Sequence, residues 1–230
     1  MPSLLVMAPQ ANEVEALCRG LVRKGVVTTA RQVGRLACVS APSMDMLIGV
    51  GGNGKAQFAV QAQHLLDHCL DAKLLLCVGA AGQLGGNMSV GDVVVGTCTI
   101  EHDYTELFVP GPLPRHECDA AVVGQLALVA AARPFPFRVH IGPIASGDED
   151  IVDAQRASEL SSKTEALCVA WEGSGGARAA RFSGVGFLEI RVITDAADGE
   201  AAWSFHENLA KVLPNISDLL VTWHEKTRTA

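Results

Sequence analysis

Four side chains in this 230-residue sequence stand where they could do chemistry: Glu13, Glu172, Arg191 and Asp195. Three of them fall in one stretch, Cys168 to Ala201, CVAWEGSGGARAARFSGVGFLEIRVITDAADGEA. A short apolar strand, Cys168–Trp171, delivers Glu172 to the mouth of a helix of small residues. A second buried strand, Gly186–Ile193, ends in Thr194–Asp195. Both carboxylates thus lie just past the C-terminal ends of strands, the edge at which open α/β sheets bind ligands. Capping of the helices that follow would account for the two acids, but not for Arg191 inside an otherwise apolar strand. Carboxylates with separated pKa values suit acid–base and electrostatic chemistry on a polyhydroxylated ligand. One can bind vicinal hydroxyls, one can activate water, and one can protonate a leaving group. Nucleophilic catalysis lacks its parts, since there is no GxSxG elbow and no cysteine with an obvious histidine partner.

The elements that must position these groups follow from the chain in order. Ser3–Ala8 reads as a first strand, broken at Pro9 and followed by a helix that Asn12 caps, with Glu15 completing a capping box. That places Glu13 in the first turn, where an acid also complements the helix dipole. Residues 26–50 read as a hairpin-type pair with a turn near Pro42–Asp45. GVGGNGKAQFAVQAQHLL is a Gly-rich turn entering a helix; its spacing matches neither a Walker loop nor a dinucleotide fingerprint, so Gly51, Gly52 and Gly54 are read as a tight turn beside a ligand or strand. Lys73–Val78 is a buried strand followed by a second Gly-rich loop, GAAGQLGG. A β segment then runs from Asp92 to the triplet Glu101, His102, Asp103, which lacks the supporting cluster a metal site needs and reads as a polar interface or pocket rim. Residues 108–118 form a Pro-rich loop suited to a lid or an oligomer contact. Asp119–Ala132 is a helix, and Arg138–Ala145 is a strand after which Ser146 or Asp148 opens a turn or caps a helix around 153–162. Glu200–Glu225 closes the chain as an amphipathic helix broken near Pro214.

Composition excludes several classes. The chain is 49% apolar, enough for a substantial core, and its length fits one α/β domain spanning residues 1–230. A net charge of −7 without a basic stripe argues against a nucleic-acid partner. No run is long enough to cross a bilayer, and no leader pattern stands at the N-terminus. Seven scattered cysteines with no CxxC pair predict free buried thiols in a reducing compartment, and hence a cytoplasmic protein.

Five blocks in this order, GVGGNGKAQFA, VGAAGQL…VGDVVV, IASGDEDIVDA, VAWEGSG and FLEIRVITDAAD, resemble the purine nucleoside phosphorylase/nucleosidase superfamily. The resemblance spans nearly the whole chain and is nearest to the methylthioadenosine/S-adenosylhomocysteine nucleosidases. It implies a single α/β domain with a central mixed, partly barrel-like sheet flanked by helices. It also implies a homodimer, a small-molecule nucleoside substrate and no cofactor. Position by position, it makes Glu13 the acid that activates the attacking water and Asp195 the acid that protonates the purine's imidazole nitrogen. Glu172 then binds the ribose hydroxyls, Arg191 lies beside ribose and water, and Phe205 lies near the ribose and the 5′ substituent. Ile151, Gly82, Ala80, Trp171 and Asn53 complete the substrate-binding positions.

Hydrolysis is favoured over phosphorolysis, because Cys77 and Ala80 stand where hexameric phosphorylases place an arginine and a serine on phosphate. Other departures bear on the substrate. Nucleosidases usually have Ser at the position of Ala80, a stacking Phe at that of Asp150 and Met at that of Trp171, and Asn53 replaces an apolar residue near the 5′ group. A 6-amino purine is expected from Asp195. The alternatives are a phosphate-dependent phosphorylase, an adenosyl-hopane- or futalosine-type nucleosidase, and a non-catalytic nucleoside-binding protein.

Overall fold

The structure, a computed structural model, describes residues 2–85 and 87–228. The chain opens with β1 (Leu4–Ala8), α1 (Ala11–Arg23), β2 (Thr29–Val33), β3 (Leu36–Ala41) and β4 (Met46–Val50). It continues through α2 (Gly54–His68), β5 (Leu74–Gln83), β6 (Val93–Glu101), β7 (Arg115–Glu117), α3 (Ala120–Ala132) and β8 (Val139–Ser146). It ends with α4 (Ala154–Thr164), β9 (Cys168–Ala170), α5 (Gly173–Ser183), β10 (Gly186–Asp195), α6 (Ala201–Val212) and α7 (Pro214–Thr227).

All ten strands join one mixed sheet in the order β10-β6-β8-β9-β5-β1-β4-β3-β2, with β7 on β6. A further pairing of β10 with β5 closes five of these strands into a ring, while β1 to β4 fan out as an open wing. This is the mixed, partly barrel-like sheet that the five sequence blocks imply. β1, β4, β5 and β10 run parallel, and along their N-terminal halves they are apolar but for Glu189 of β10, as strands covered on both faces must largely be. Small residues let the helices approach closely. Gly20 of α1 abuts Ser217 of α7, and Gly175 of α5 abuts the Lys55 carbonyl of α2, contacts that leave no room for a side chain. The helix of small residues after Glu172 is therefore small because two neighbours press on it.

Four local expectations are corrected. The first helix starts two residues earlier than the Asn12 cap implies: Gln10 is the N-cap, and Glu13, not Glu15, closes the capping box. Residues 26–50 form three antiparallel strands, because a second turn at Gly34–Arg35 splits the first half. GAAGQ is not a loop, since β5 continues through Gln83 and pairs with both β10 and β9. Its small residues signal crowding at the ring rather than a break, and Gly86, which closes that run, lies outside the described residues. The helix near 153–162 is capped by the Asp153 side chain, which accepts from the Arg156 amide at 2.9 Å, and not by Ser146 or Asp148. The break at Pro214 separates α6 from α7 as expected.

Candidate active site

The C-terminal ends of β1, β5, β9 and β10, with the N-terminus of α6, enclose a cavity of about 360 Å³. All ten side chains singled out above line it: Glu13, Asn53, Ala80, Gly82, Ile151, Trp171, Glu172, Arg191, Asp195 and Phe205. Asp150 lines it as well.

Arg191 is the centre of the arrangement. It projects from β10 with 1% of its surface exposed, and four of its five guanidinium N–H groups find partners. Nε donates to Glu189 Oε1 at 2.8 Å, and Nη1 donates to the Ala80 carbonyl at 3.3 Å. Nη2 lies 3.2 Å from both Glu172 Oε2 and Cys77 Sγ. A side chain at Gly79 would place its Cβ 2.8 Å from both Arg191 Nη1 and Glu13 Oε1, so the strand must be bare there.

Glu172 occupies the N-cap position of α5, yet its side chain makes no capping bond. It turns instead to Arg191 and accepts the Gly54 amide on Oε1 at 3.2 Å. Helix capping therefore does not explain this acid. Burial pushes its pKa above the usual carboxylate range, with Arg191 and the Gly54 amide opposing the rise. Glu13 does take part in capping, since Oε2 accepts the Gln10 amide at 2.9 Å, but Oε1 reaches 67 residues along the chain to the Ala80 amide at 3.0 Å. Loss of solvent dominates its titration. Burial raises its pKa to about 7 and the Glu172 charge adds to the rise, against the Ala80 amide and Arg191.

Asp195 ends β10 and does not cap α6, whose N-cap is Glu200. Oδ1 accepts the Ala197 amide at 3.0 Å, and Oδ2 accepts from Thr194 Oγ1 at 2.8 Å. Burial lifts its pKa, while the Thr194 and Ala197 hydrogen bonds pull it down. Gly82 makes room for this carboxylate, since a Cβ there would meet Asp195 Oδ1 at 2.8 Å.

Two rim segments are held by groups that the motif reading left unassigned. Lys55, which follows the Gly-rich turn, pairs through Nζ with Glu101 and Asp103 of the acid–His–acid triplet. Asp103 Oδ2 accepts the Asp148 amide at 2.8 Å, and Asp148 Oδ1 accepts the Lys55 amide at 2.8 Å. This latch ties the Asn53–Gly54 turn, and hence the amide on Glu172, to the segment carrying Glu149, Asp150 and Ile151. Gly54 itself has φ +78°, a conformation that favours glycine. The triplet is thus a pocket support, and among the described residues no cluster of three or more metal-type ligands occurs. Trp171 is oriented by donating its Nε1 to the Glu149 carbonyl at 3.0 Å, and Glu149 is forked by Arg156 at 2.8 and 2.7 Å. His206 and Thr194 also line the cavity and went unnoticed in the sequence. So did Glu189, although a charged residue inside an apolar strand, the signal that made Arg191 stand out, is present there too.

Among the described cavity-lining residues, five are acids and Arg191 is the one arginine or lysine. Of the seven cysteines none is in a disulfide; Cys18 is half-buried and the rest are buried. No helix among the described residues is long and apolar enough to cross a membrane.

The chain is 32% identical over 187 residues to a 5′-methylthioadenosine/S-adenosylhomocysteine nucleosidase of Exiguobacterium, covering 78% of this chain and 79% of that one. It is 29% identical over 216 residues to the nucleosidase of the same name from Actinobacillus succinogenes, covering 89% and 90%. Among solved structures it is similar to the 5′-methylthioadenosine/S-adenosylhomocysteine nucleosidase of Neisseria meningitidis in complex with methylthio-immucillin-A, with TM-score 0.85, 26% identity and coverage of 99% and 100%. A futalosine hydrolase of Helicobacter pylori shares the fold at TM-score 0.83 and 21% identity, covering 97% of each chain. The family model described as the phosphorylase superfamily matches residues 4–223, a span that takes in every strand of the sheet and every acid of the cavity, and the chain belongs to that superfamily.

Proposed function

We infer that the protein is a nucleosidase that hydrolyses the N-glycosidic bond of a 5′-substituted adenosine of the 5′-methylthioadenosine or S-adenosylhomocysteine type. In this reading Glu13 removes a proton from water as the water oxygen bonds to the anomeric carbon. The carbon–nitrogen bond breaks with its electron pair passing to the purine, and protonated Asp195 delivers its proton to the imidazole ring. Glu172 accepts the ribose hydroxyls and, with Arg191, fixes the sugar. Positive charge develops on the ribose and negative charge on the base, so carboxylates at one end and an acid at the other stabilise the transition state in the sense required. A raised pKa keeps Asp195 able to donate, and one near 7 makes Glu13 an effective base at neutral pH.

The observation that carries hydrolysis over phosphorolysis is the engagement of Arg191. Four of the five N–H groups of the cavity's arginine are taken by Glu189, Glu172, Cys77 and the Ala80 carbonyl, and a phosphate dianion in the cavity would meet the carboxyl groups of Glu13, Glu172 and Asp195. Chromatography of the free base released from methylthioadenosine, S-adenosylhomocysteine, adenosine and inosine, with and without phosphate, tests the reading. Adenine release independent of phosphate is expected. Release only with phosphate would make the protein a phosphorylase, and binding without release would make it a nucleoside-binding protein.

The exposed Asn53 bears on the 5′ group, and the relative rates for the three adenine nucleosides read its preference. A homodimer belongs to the same proposal. The segment Leu107–Val109 is apolar and exposed, Phe108 completely so, which suits a surface that a second copy covers. Light scattering at the mass of two 24.1 kDa chains is the expected result. The buried thiols suit the reducing cytoplasm, and a single cooperative unfolding transition is expected of one domain.

A further inference from the structure

Glu189 is the most deeply buried acid of the chain that the reaction outlined above does not use. It has no exposed surface, does not line the cavity, and interrupts an otherwise apolar strand. Alternation along β10 puts it on the same face as Arg191. Its Oε1 accepts the Arg191 Nε–H at 2.8 Å, and its Oε2 accepts the hydroxyl of Thr99 on β6. Any side chain at Gly173 would collide with its carboxylate, so the turn directly after Glu172 closes onto it. Glu189 therefore touches both the arginine that holds Glu172 and the residue next to Glu172.

We propose that Glu189 is a positioning residue for the reaction: it grips Arg191 from the side away from the cavity and thereby sets how much guanidinium charge and hydrogen bonding remains for Glu172 and Glu13. A planar guanidinium held at Nε cannot turn in its plane, so the Glu189 bond fixes which edge faces Glu172 and the Ala80 carbonyl. The charge count points the same way. One guanidinium faces three buried acids, Glu13 from α1, Glu172 from the start of α5 and Glu189 from its own strand. Cys77 of β5 lies within electrostatic reach of all four groups; Cys168 of β9, Cys118 ahead of α3 and Thr99 of β6 adjoin Glu189, and Asp195 ends the same strand. The share of Arg191 that Glu189 takes is withheld from Glu13, which favours the protonated form of that base.

This proposal rests on the nucleosidase reading for the use of Glu13, and the test keeps the two apart. Glutamates labelled at the carboxyl carbon are titrated by NMR in the wild type, E189D and E189Q, with the Glu13 signal assigned by its loss in E13Q. Neutralising Glu189 should lower the Glu13 midpoint by on the order of one pH unit, as a fuller share of the opposite charge of Arg191 does. Drawing the carboxylate back in E189D should lower it by less, and E189D decides the matter should E189Q not fold. The midpoint that follows Glu13 in the pH profile of adenine release should move with it. A lower unfolding temperature with the Glu13 midpoint unmoved in either variant would reduce Glu189 to a structural part and overturn the proposal. Absence of adenine release from the wild type would defeat the nucleosidase reading alone, because the titration needs no substrate.

Discussion

Replacing Glu13 by glutamine should stabilise the protein as the pH rises, by an amount that follows from burial. The carboxyl titrates near 4.5 when solvated and at about 7 in the fold, because water is excluded around it and Glu172 repels its charge. Between those values the folded state holds a proton that the unfolded chain has released, so the wild type loses stability as pH climbs through this window. A displacement of about 2.5 pKa units at about 1.36 kcal/mol each amounts to roughly 3 kcal/mol, reached in full above pH 7 and absent well below pH 4.5. Glutamine has the shape of the protonated acid and no charge to desolvate. It does set an amide against the Gln10 N–H of the capping box, a penalty that stays constant with pH. The change in the difference, rather than its absolute size, is therefore the clean quantity. Urea unfolding of both proteins at pH 5 and pH 8 should show E13Q gaining about 2–3 kcal/mol on the wild type across that interval, while adenine release is lost. A difference that stays flat with pH, or that moves in favour of the wild type, would refute the raised pKa and with it the tuning of Glu13 as a base.

The other expectations concern the acid, its seat and the rim. Asp195→Asn keeps the shape and removes the proton, so adenine release should fall about 10²–10⁴-fold with the unfolding temperature nearly unchanged, and an undiminished rate would end the general-acid assignment. Gly82→Ala sets a methyl 2.8 Å from Asp195 Oδ1 and 3.1 Å from the Ala197 Cβ. Displacing the acid should lower kcat on the order of 10²-fold, and a wild-type kcat would show that Asp195 needs no such seat. Lys55→Met breaks the latch and leaves Glu101 with Arg178 as its remaining charged partner within 3 Å. The pair is partly exposed, so about 2 kcal/mol of stability should be lost, and KM should rise as the Gly54 amide leaves Glu172. Unchanged KM would mean that the turn holds its position without Lys55.

What the sequence determined by itself is whatever depends on near neighbours. Short apolar runs rich in Leu, Ile and Val and bounded by Gly or Pro read as buried strands, Pro214 interrupts the last helix, and Asp119 ahead of an Ala/Val-rich run starts one. The acids after Cys168–Ala170 and at the end of β10 were legible because a carboxylate at the end of a buried strand has few other reasons to be there. What the tertiary structure decided depends on partners far along the chain. Asn12 is the better cap by residue type, yet Gln10 takes the place, in a register that puts Glu13 at the third helical position and in reach of the Ala80 amide 67 residues away. GAAGQ has the composition of a loop and becomes strand because only small residues fit where β5 is paired on both sides inside a closed ring. Lys55 and two acids of the Glu101–Asp103 triplet, read as a polar interface or pocket rim, neutralise one another across 46 and 48 residues. The pKa of Glu13 is likewise set by the exclusion of water, by the Ala80 amide and by the charges of Arg191 and Glu172 on two other segments. Burial and long-range charge pairing are properties of the packed chain, and no local pattern of residues encodes them.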